Sequence, residues 1–255
     1  MEILEFSLFV LFPAALAIFA LGASYRLFRY VFLYRKGVYI HRDSSFAFKI
    51  KSLVLSFLRP TSFNLRTKPM EFVFGFMLMH AIGLIPLIFL LAQHIAYIEA
   101  IIPFYGLLWP LAIPISPITG ALTVTSPVGV KQVETLWGPL TIVLNGDFLA
   151  IFAILGATYK SFAKIYERFK GHKNVRIGDL LIWPLLLAVL ITGWLAAHHT
   201  PSGDIVWYRT MLGLHIAFAA LFVAVWPFTK FFHFLWGYWY GKLHEWYDMA
   251  IKRGV

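Results

Sequence analysis

Five long apolar runs, separated by basic or proline-rich segments, constrain the fold of this chain more than any other feature. An α-helix of about 20 residues crosses the hydrocarbon core of a bilayer, and each run is about that long or longer. With 60% hydrophobic and 13% charged residues, the composition is typical of a polytopic membrane protein. We therefore expect an all-α membrane protein, a five-helix transmembrane bundle that forms a single membrane domain over residues 1–255. The expected spans are residues 4–28, 71–97, 147–165, 178–199 and 208–234.

The Lys and Arg residues predict how the spans are oriented. Ten lie in residues 24–70, six in 160–176 and four from Lys230 onward, and only Lys131 and Arg209 lie elsewhere. With five spans the three basic segments share one side, which the positive-inside rule assigns to the cytoplasm. The N-terminus is then outside and the C-terminus cytoplasmic, in a multi-pass protein of the cell (plasma) membrane. Because the charges flank apolar runs, membrane lipid is an expected partner and nucleic acid is not.

The segment 99–146 is apolar but is not expected to cross the membrane. A sixth span through residues 100–120 would place the basic segment 160–176 opposite the basic segment 24–70 and remove the charge asymmetry. We therefore predict a re-entrant or interfacial loop on the outer surface. Six prolines break this segment: Pro103, Pro110, Pro114, Pro117, Pro127 and Pro139.

Two further segments complete the predicted topology. The first run begins with Glu2 and Glu5 instead of basic residues and has no convincing cleavage site, so we expect a retained span and not a signal peptide. The basic segment 29–70 is predicted to hold an amphipathic surface helix around Phe46 to Leu58.

Four histidines within two apolar runs form the candidate functional site. His215 and His233 are eighteen residues apart, a whole number of turns at about 3.6 residues per turn, so one helix face would carry both, roughly 27 Å apart. His80 and His94 are fourteen residues apart, about 21 Å and roughly forty degrees short of register. Antiparallel helices would pair His80 with His233 toward the cytoplasm, and His94 with His215 toward the outside. Ionisable groups inside a membrane are costly and indicate function.

Two pairs of imidazoles are typical of two haem irons. The chain has no cysteine, which excludes iron-sulfur clusters and covalent c-type haem, so a haem would be held noncovalently by histidine. Two axial imidazoles leave no open position on iron, which favours electron transfer. Gly83, one turn from His80, and Gly213, beside His215, would let a macrocycle approach the backbone, but glycine is also common where two helices contact each other.

The other histidines are weaker candidates for functional residues. A single histidine on a helix often only hydrogen-bonds to a neighbouring helix. We expect three, in basic segments, to be solvated: His41, His172 and His244. His198 and His199 end the fourth run on the outer side, where they would cap the helix or take part in proton release.

The fifth run resembles the last helix of the respiratory nitrate reductase gamma subunit, a five-span di-haem cytochrome b. Its pattern is a histidine, eleven residues, Pro-Phe, a hydroxyl residue, a basic residue, two residues and a histidine, from His215 to His233. The resemblance runs from about residue 71 to the C-terminus. It includes three more stretches: Phe76 to Gly83, then Pro127 with Val130, Lys131 and Gln132, and Gly178-Asp179-Leu180 through Thr192-Gly193.

The resemblance implies which residues act at each site. His80 and His233 would hold the cytoplasmic haem b, His94 and His215 the outer haem b, and Lys131 would lie at a quinol site. The family's two second-helix histidines are ten residues apart, a place that Leu90 takes here, so His94 lies a turn further out. The loop between the second and third helices is also longer than in nitrate reductase.

The function that this resemblance implies is electron transport. The chain would be the membrane-anchor subunit of a respiratory-chain oxidoreductase such as nitrate reductase, with no catalytic residue of its own. It would oxidise a menaquinol-type quinol near the outer face and pass electrons to iron-sulfur and catalytic subunits on the cytoplasmic side. Related cytochromes serve heterodisulfide reductase and sulfite-reductase-associated complexes.

Three alternatives remain open from the sequence. The same cytochrome would reduce a quinone if electrons ran in reverse. A transporter or channel with a histidine proton relay would be colourless when purified. A membrane di-iron or zinc enzyme needs several histidine-rich boxes, whereas this chain has the single His198-His199 pair.

Overall fold

A computed structural model describes residues 1–32, 34–36, 45–119, 121–126, 129–171, 175–233, 238–247 and 249–251. The α-helices among them are α1 (Ile3–Phe6), α2 (Phe12–Phe32), α3 (Phe46–Thr67), α4 (Ile85–Leu90), α5 (Ala92–Ile101), α6 (Gly146–Phe169), α7 (Ile177–Ala197), α8 (Ile205–Val225) and α9 (Trp239–Tyr247). The π-helical segments are Ser7–Leu11 and Glu71–Leu84, and the 3-10 turns are Pro103–Leu111, Gly138–Ile142, Trp226–Phe228 and Lys230–His233. The strands are β1 (Tyr34–Lys36), β2 (Leu122–Ser126), β3 (Gly129–Val133) and β4 (Met249–Ile251), paired antiparallel as β1 with β4 and β2 with β3.

Five helical stretches of the described residues are long and apolar enough to cross a membrane. They are Ile3–Arg29, Glu71–Leu90, Gly146–Phe169, Ile177–Ala197 and Ile205–Phe228. The prediction of an all-α, multi-pass membrane protein with five spans is confirmed.

The two runs that carry the paired histidines are not the continuous α-helices that the sequence predicted. Residues 71–84 are wound as a π-helix, and the helix stops at Leu91, whose ψ is 129°. The last span leaves the α-helix after Val225, and Thr229 is extended with φ −109° and ψ 173°. The helical-phase arguments for His80 with His94, and for His215 with His233, are therefore wrong, because each assumed one regular α-helix between its two histidines.

The chain forms two compact units, of which the first contains Met1–Thr67 and Arg209–Val255. Near the start of α8, the Arg209 Nε lies 2.6 Å from Glu2 Oε2. Near its end, Pro227 packs on Gly22, where an added Cβ would lie 2.9 Å from the Pro227 Cβ. The first and last spans therefore run in the same direction, as an odd number of spans requires.

The helix predicted around Phe46 to Leu58 is present as α3, which is longer than expected and is joined to α9. The Lys242 ammonium of α9 is buried and donates to Ser52 Oγ at 2.8 Å and to Ser52 O at 3.1 Å. The Trp246 indole donates to the same hydroxyl at 3.1 Å. A single serine of α3 thus receives two donors from α9.

The second unit, Lys68–Tyr208, contains the three remaining spans. Glu71 lies 2.7 Å from Lys160 in the C-terminal half of α6, and Gly146 at the N-terminal end of α6 contacts Leu91. Residue numbers therefore rise along one helix and fall along its neighbour, so the second and third spans are antiparallel. The intervening segment leaves and returns at the same end, which we call the hairpin end. Among the described residues of this segment, no helix is long and apolar enough to cross a membrane.

The segment at the hairpin end has a hydrophobic core of its own, here called the loop core. It joins α5, the 3-10 turn Pro103–Leu111 and the β2–β3 hairpin. Its buried members are Ala92, Ile95, Ala96, Trp109, Ala112, Leu122, Val124 and Val133. A segment expected only to lie at the interface is therefore a folded cap that holds its polar side chains in fixed positions.

Candidate functional site

His80 is anchored to the backbone of its own helix. Its Nδ1 lies 2.6 Å from the carbonyl oxygen of Gly75, five residues earlier. Because a carbonyl oxygen only accepts hydrogen bonds, Nδ1 must carry the proton. The neutral ring then has its lone pair on Nε2, the atom that binds iron when Nδ1 is held in this way.

His94 is anchored in the same manner, but to a carbonyl group that lies just before the interruption of the helix at Leu91. Its Nδ1 lies 2.7 Å from the carbonyl oxygen of Leu87, in the last turn of α4. The carbonyls of a last helical turn need partners from outside the helix. Tyr105 donates to Phe89 O at 2.9 Å and the Ile113 N–H to Leu90 O at 2.8 Å. His94 is thus one of three groups that cap α4.

Burial raises the pKa of the Tyr105 hydroxyl. The hydroxyl therefore stays protonated and remains a hydrogen-bond donor to the end of α4 well above neutral pH.

The other two predicted ligands belong to the first unit. His215 is partly buried in α8, and the backbone of His233 lies in the 3-10 turn Lys230–His233, while its side chain is outside the described residues. His80 and His94 belong to the second unit. The pairing of His80 with His233, and of His94 with His215, stays a prediction.

The two glycines expected to admit a macrocycle pack against protein instead. A Cβ on Gly83 would lie 2.8 Å from the Ala153 Cβ, and a Cβ on Gly213 would lie 2.7 Å from the Leu4 backbone nitrogen. Both glycines therefore serve close approach between spans, and the expectation that they accommodate a haem is wrong.

Lys131, the predicted quinol residue, lies on β3 and reaches α5. Its Nζ is 3.5 Å from Glu99 Oε1 and 4.6 Å from the centroid of the Trp109 ring. The Trp109 indole donates to Glu99 Oε2 at 2.6 Å. We call these three residues the Glu99 cluster. Pro127, which also belonged to the predicted segment, is outside the described residues.

Sequence reasoning missed Glu99, although a signal was present. Between Glu71 and Glu134, the only Asp, Glu, Lys or Arg residues are Glu99 and Lys131. Two opposite charges isolated in a long apolar segment are expected to meet, because an unpaired charge there is costly.

His198, at the end of α7, contacts a carboxylate. Its Nε2 lies 2.7 Å from Asp147 Oδ1, which is an ion-pair distance without the geometry of a hydrogen bond. Its Nδ1 lies 2.8 Å from Trp194 O. Ser116 donates to the other carboxylate oxygen of Asp147 at 2.8 Å. Capping, one of the two roles expected of His198, is observed, since Trp194 O is a terminal carbonyl of α7. Asp147 is a partner that the sequence did not indicate.

Of the remaining histidines, two lie among the described residues and two do not. His199 stacks on Tyr208 with ring centroids 4.6 Å apart. His244 is partly buried in α9. His41 and His172 are outside the described residues.

Within the described ranges, no three His, Asp or Glu side chains gather as a group that would hold a metal ion. A haem held by two imidazoles needs only two side chains for each iron. No protein-family model, curated protein or solved structure matches this chain.

Proposed function

We propose that this chain is a di-haem b-type cytochrome, the membrane-anchor subunit of a respiratory oxidoreductase complex. It oxidises quinol near the outer face and passes electrons through two haems to an iron-sulfur partner on the cytoplasmic side. The proposal rests on the resemblance of the fifth run to the nitrate reductase gamma subunit and on four histidines, of which His80 and His215 lie within membrane-spanning helices and His94 and His233 lie just beyond their ends.

The single observation that carries this proposal is the anchoring of His80 and His94. Both rings hold Nδ1 against a backbone carbonyl, at 2.6 and 2.7 Å, which directs the lone pair to Nε2. Histidines that bind metals usually donate their other N–H to such an oxygen. The donor set therefore fits haem, and the anchoring fixes ring orientation before a ligand binds.

The same observation argues against a histidine proton relay. A relay histidine takes a proton on one ring nitrogen and releases it from the other to a group that can pass it on. The Gly75 and Leu87 carbonyl oxygens carry no proton that they can pass on, so Nδ1 of each ring is the end of any such path.

Each side of the membrane has its own role in this proposal. Bound haem supplies one-electron transfer, and the histidines hold it without leaving an open coordination position. Lys131 contacts the quinol head group at the hairpin end. Twenty of the 22 Lys and Arg residues lie on the predicted cytoplasmic side, where they attract an acidic partner subunit.

Haem spectra of single variants test this function. The purified full chain should be red, with two haem b per chain and a sharp α band on reduction. His80→Gln, His94→Gln, His215→Gln and His233→Gln should each remove one haem signal. His199→Gln is the matched control, because His199 stacks on Tyr208 at the end of α7 and should leave both signals intact. A colourless wild-type protein, or difference spectra unchanged in all four variants, would refute the proposal.

A further inference from the structure

The Glu99 cluster places a carboxylate and an ammonium group together at the hairpin end. In residues 72–133 no other Asp, Glu, Lys or Arg occurs. Glu99 lies on α5, five residues after His94, which is about 7.5 Å further along the helix axis. One member of this charged pair, Glu99, therefore lies on the same short helix as a proposed ligand of the outer haem.

The protein holds Glu99 from two sides. The Trp109 side chain is buried at 5% exposure and donates its indole N–H to Oε2 at 2.6 Å. The main chain also approaches the carboxylate at Gly106, where any added Cβ would collide with Oε1. No side chain at position 106 would fit beside this carboxylate, so a glycine there allows Glu99 to keep its position.

The pair also stays accessible from one side. The Glu99 side chain is 24% exposed and the Lys131 side chain 47% exposed. Their separation of 3.5 Å is at the long limit of a hydrogen bond. A hydroxyl group can therefore approach Oε1 as a donor while its oxygen faces the Lys131 ammonium.

From this geometry we infer that Glu99 is the proton acceptor of the quinol site and acts together with Lys131. The inference rests on the function proposed above and adds a group that the resemblance does not supply. The ligand class is a hydroquinone head group, which offers an O–H donor to the carboxylate and, once oxidised, a carbonyl acceptor to the ammonium.

Oxidation of one quinol at this site transfers two protons and two electrons. A quinol O–H bond breaks, the proton moves to Glu99 Oε1, and Lys131 faces the oxygen left behind while one electron leaves to ferric haem iron. Glu99 then releases that proton to water on the outer side. The second O–H proton follows the same route as the second electron leaves. One quinol and two ferric irons thus give one quinone, two ferrous irons and two protons outside.

The test compares Glu99→Gln with Glu134→Gln in the full chain reconstituted in lipid nanodiscs. Glutamine keeps the shape of Glu99 and an oxygen for the Trp109 indole, but it cannot take a proton. Glu134 is an exposed carboxylate three residues after Lys131 and serves as the matched control. Duroquinol is the electron donor, and stopped-flow absorbance of the α band reports haem reduction.

For Glu99→Gln we expect the limiting rate of haem reduction to fall by about 100-fold, the lower range for general acid-base catalysis. The amount of haem that dithionite reduces should stay within a few-fold of wild type. The affinity for a hydroxyquinoline N-oxide, used as a quinol analogue, should also stay within a few-fold of wild type. Lys131→Met should instead weaken analogue binding, Glu99→Asp should recover part of the rate, and Glu134→Gln should behave as wild type.

A Glu99→Gln rate equal to that of Glu134→Gln would overturn the inference. So would a loss of haem or analogue binding in proportion to the rate, because the residue would then be only structural. Wild-type protein that contains no haem would overturn the proposed function itself, and this result is visible before any variant is made. Wild-type protein with haem that duroquinol does not reduce would overturn the quinol site while leaving the cytochrome.

Discussion

Gly83 offers the sharpest test of how the second and third spans pack. In Gly83→Ala the new methyl group would lie 2.8 Å from the Ala153 Cβ, 2.9 Å from the Ala153 Cα and 2.8 Å from Leu78 O. Carbon atoms pack best at about 3.5 to 4.0 Å, so the two helices must separate by about 0.7 to 1.2 Å at the Ala153 contact. None of the three atoms belongs to a side chain that can rotate away, and Ala153 is fully buried.

The magnitude follows from two opposing terms. Overpacking of this kind costs about 1 to 3 kcal/mol, and because the neighbours are rigid we take the upper half of that range. Alanine recovers at most about 1 kcal/mol through its higher helix propensity. We therefore expect the free energy of unfolding to fall by about 1 to 3 kcal/mol.

The assay is reversible unfolding by dodecyl sulfate in mixed micelles, followed by far-ultraviolet circular dichroism. Gly178→Ala in α7 is the matched control, since a Cβ there would meet nothing within 4 Å. Ala153→Gly in the Gly83→Ala background should restore part of the lost stability, because it removes the atom that the new methyl group meets. If Gly83→Ala were as stable as Gly178→Ala but had an altered haem spectrum, Gly83 would line a haem site and the packing argument would be refuted.

Two further predictions concern polar contacts away from the proposed haems. Lys242→Met keeps the length of the side chain but removes the hydrogen bonds that its ammonium group donates to Ser52. Each such charged hydrogen bond is worth about 1.5 to 3 kcal/mol, so chymotrypsin should cleave α9 faster in the variant. An unchanged cleavage rate would contradict the contact. A double-mutant cycle of Asp147→Asn, His198→Gln and the double variant should give a coupling free energy of about 0.5 to 1 kcal/mol in unfolding, because both side chains are only partly exposed. Strictly additive losses of stability would rule out the ion pair.

The number of spans was predictable because it depends on local quantities. The length of an apolar run sets whether it can cross, and the distribution of Lys and Arg sets which ends lie together. The breaks at Leu91 and Thr229 depend on partners elsewhere. Leu91 is extended because its neighbours Leu90 and Ala92 bond to Ile113, more than twenty residues away, and no pattern in the apolar run marks that pairing.

The candidate site was predictable in part for the same reason. Lys131 was identified through a resemblance, but its partner was not, because Glu99 precedes it by 32 residues in a segment without regular periodicity. Gly83 was assigned to the wrong partner, since a glycine in a membrane helix admits a neighbouring helix as readily as a macrocycle. Only packing distances distinguish the two uses.

The break at Leu91 connects the fold to the proposed function. In an unbroken α-helix, the Leu87 carbonyl would accept the N–H of Leu91, four residues later. Because the helix stops there, that oxygen is one of the terminal carbonyls that need another partner, and the His94 ring supplies it. The interruption that invalidates the helical-phase argument thus also fixes the tautomer and orientation that an iron ligand requires. A histidine one turn beyond Leu90 need not be a misplaced ligand, since a broken helix does not keep the ten-residue spacing of a continuous one.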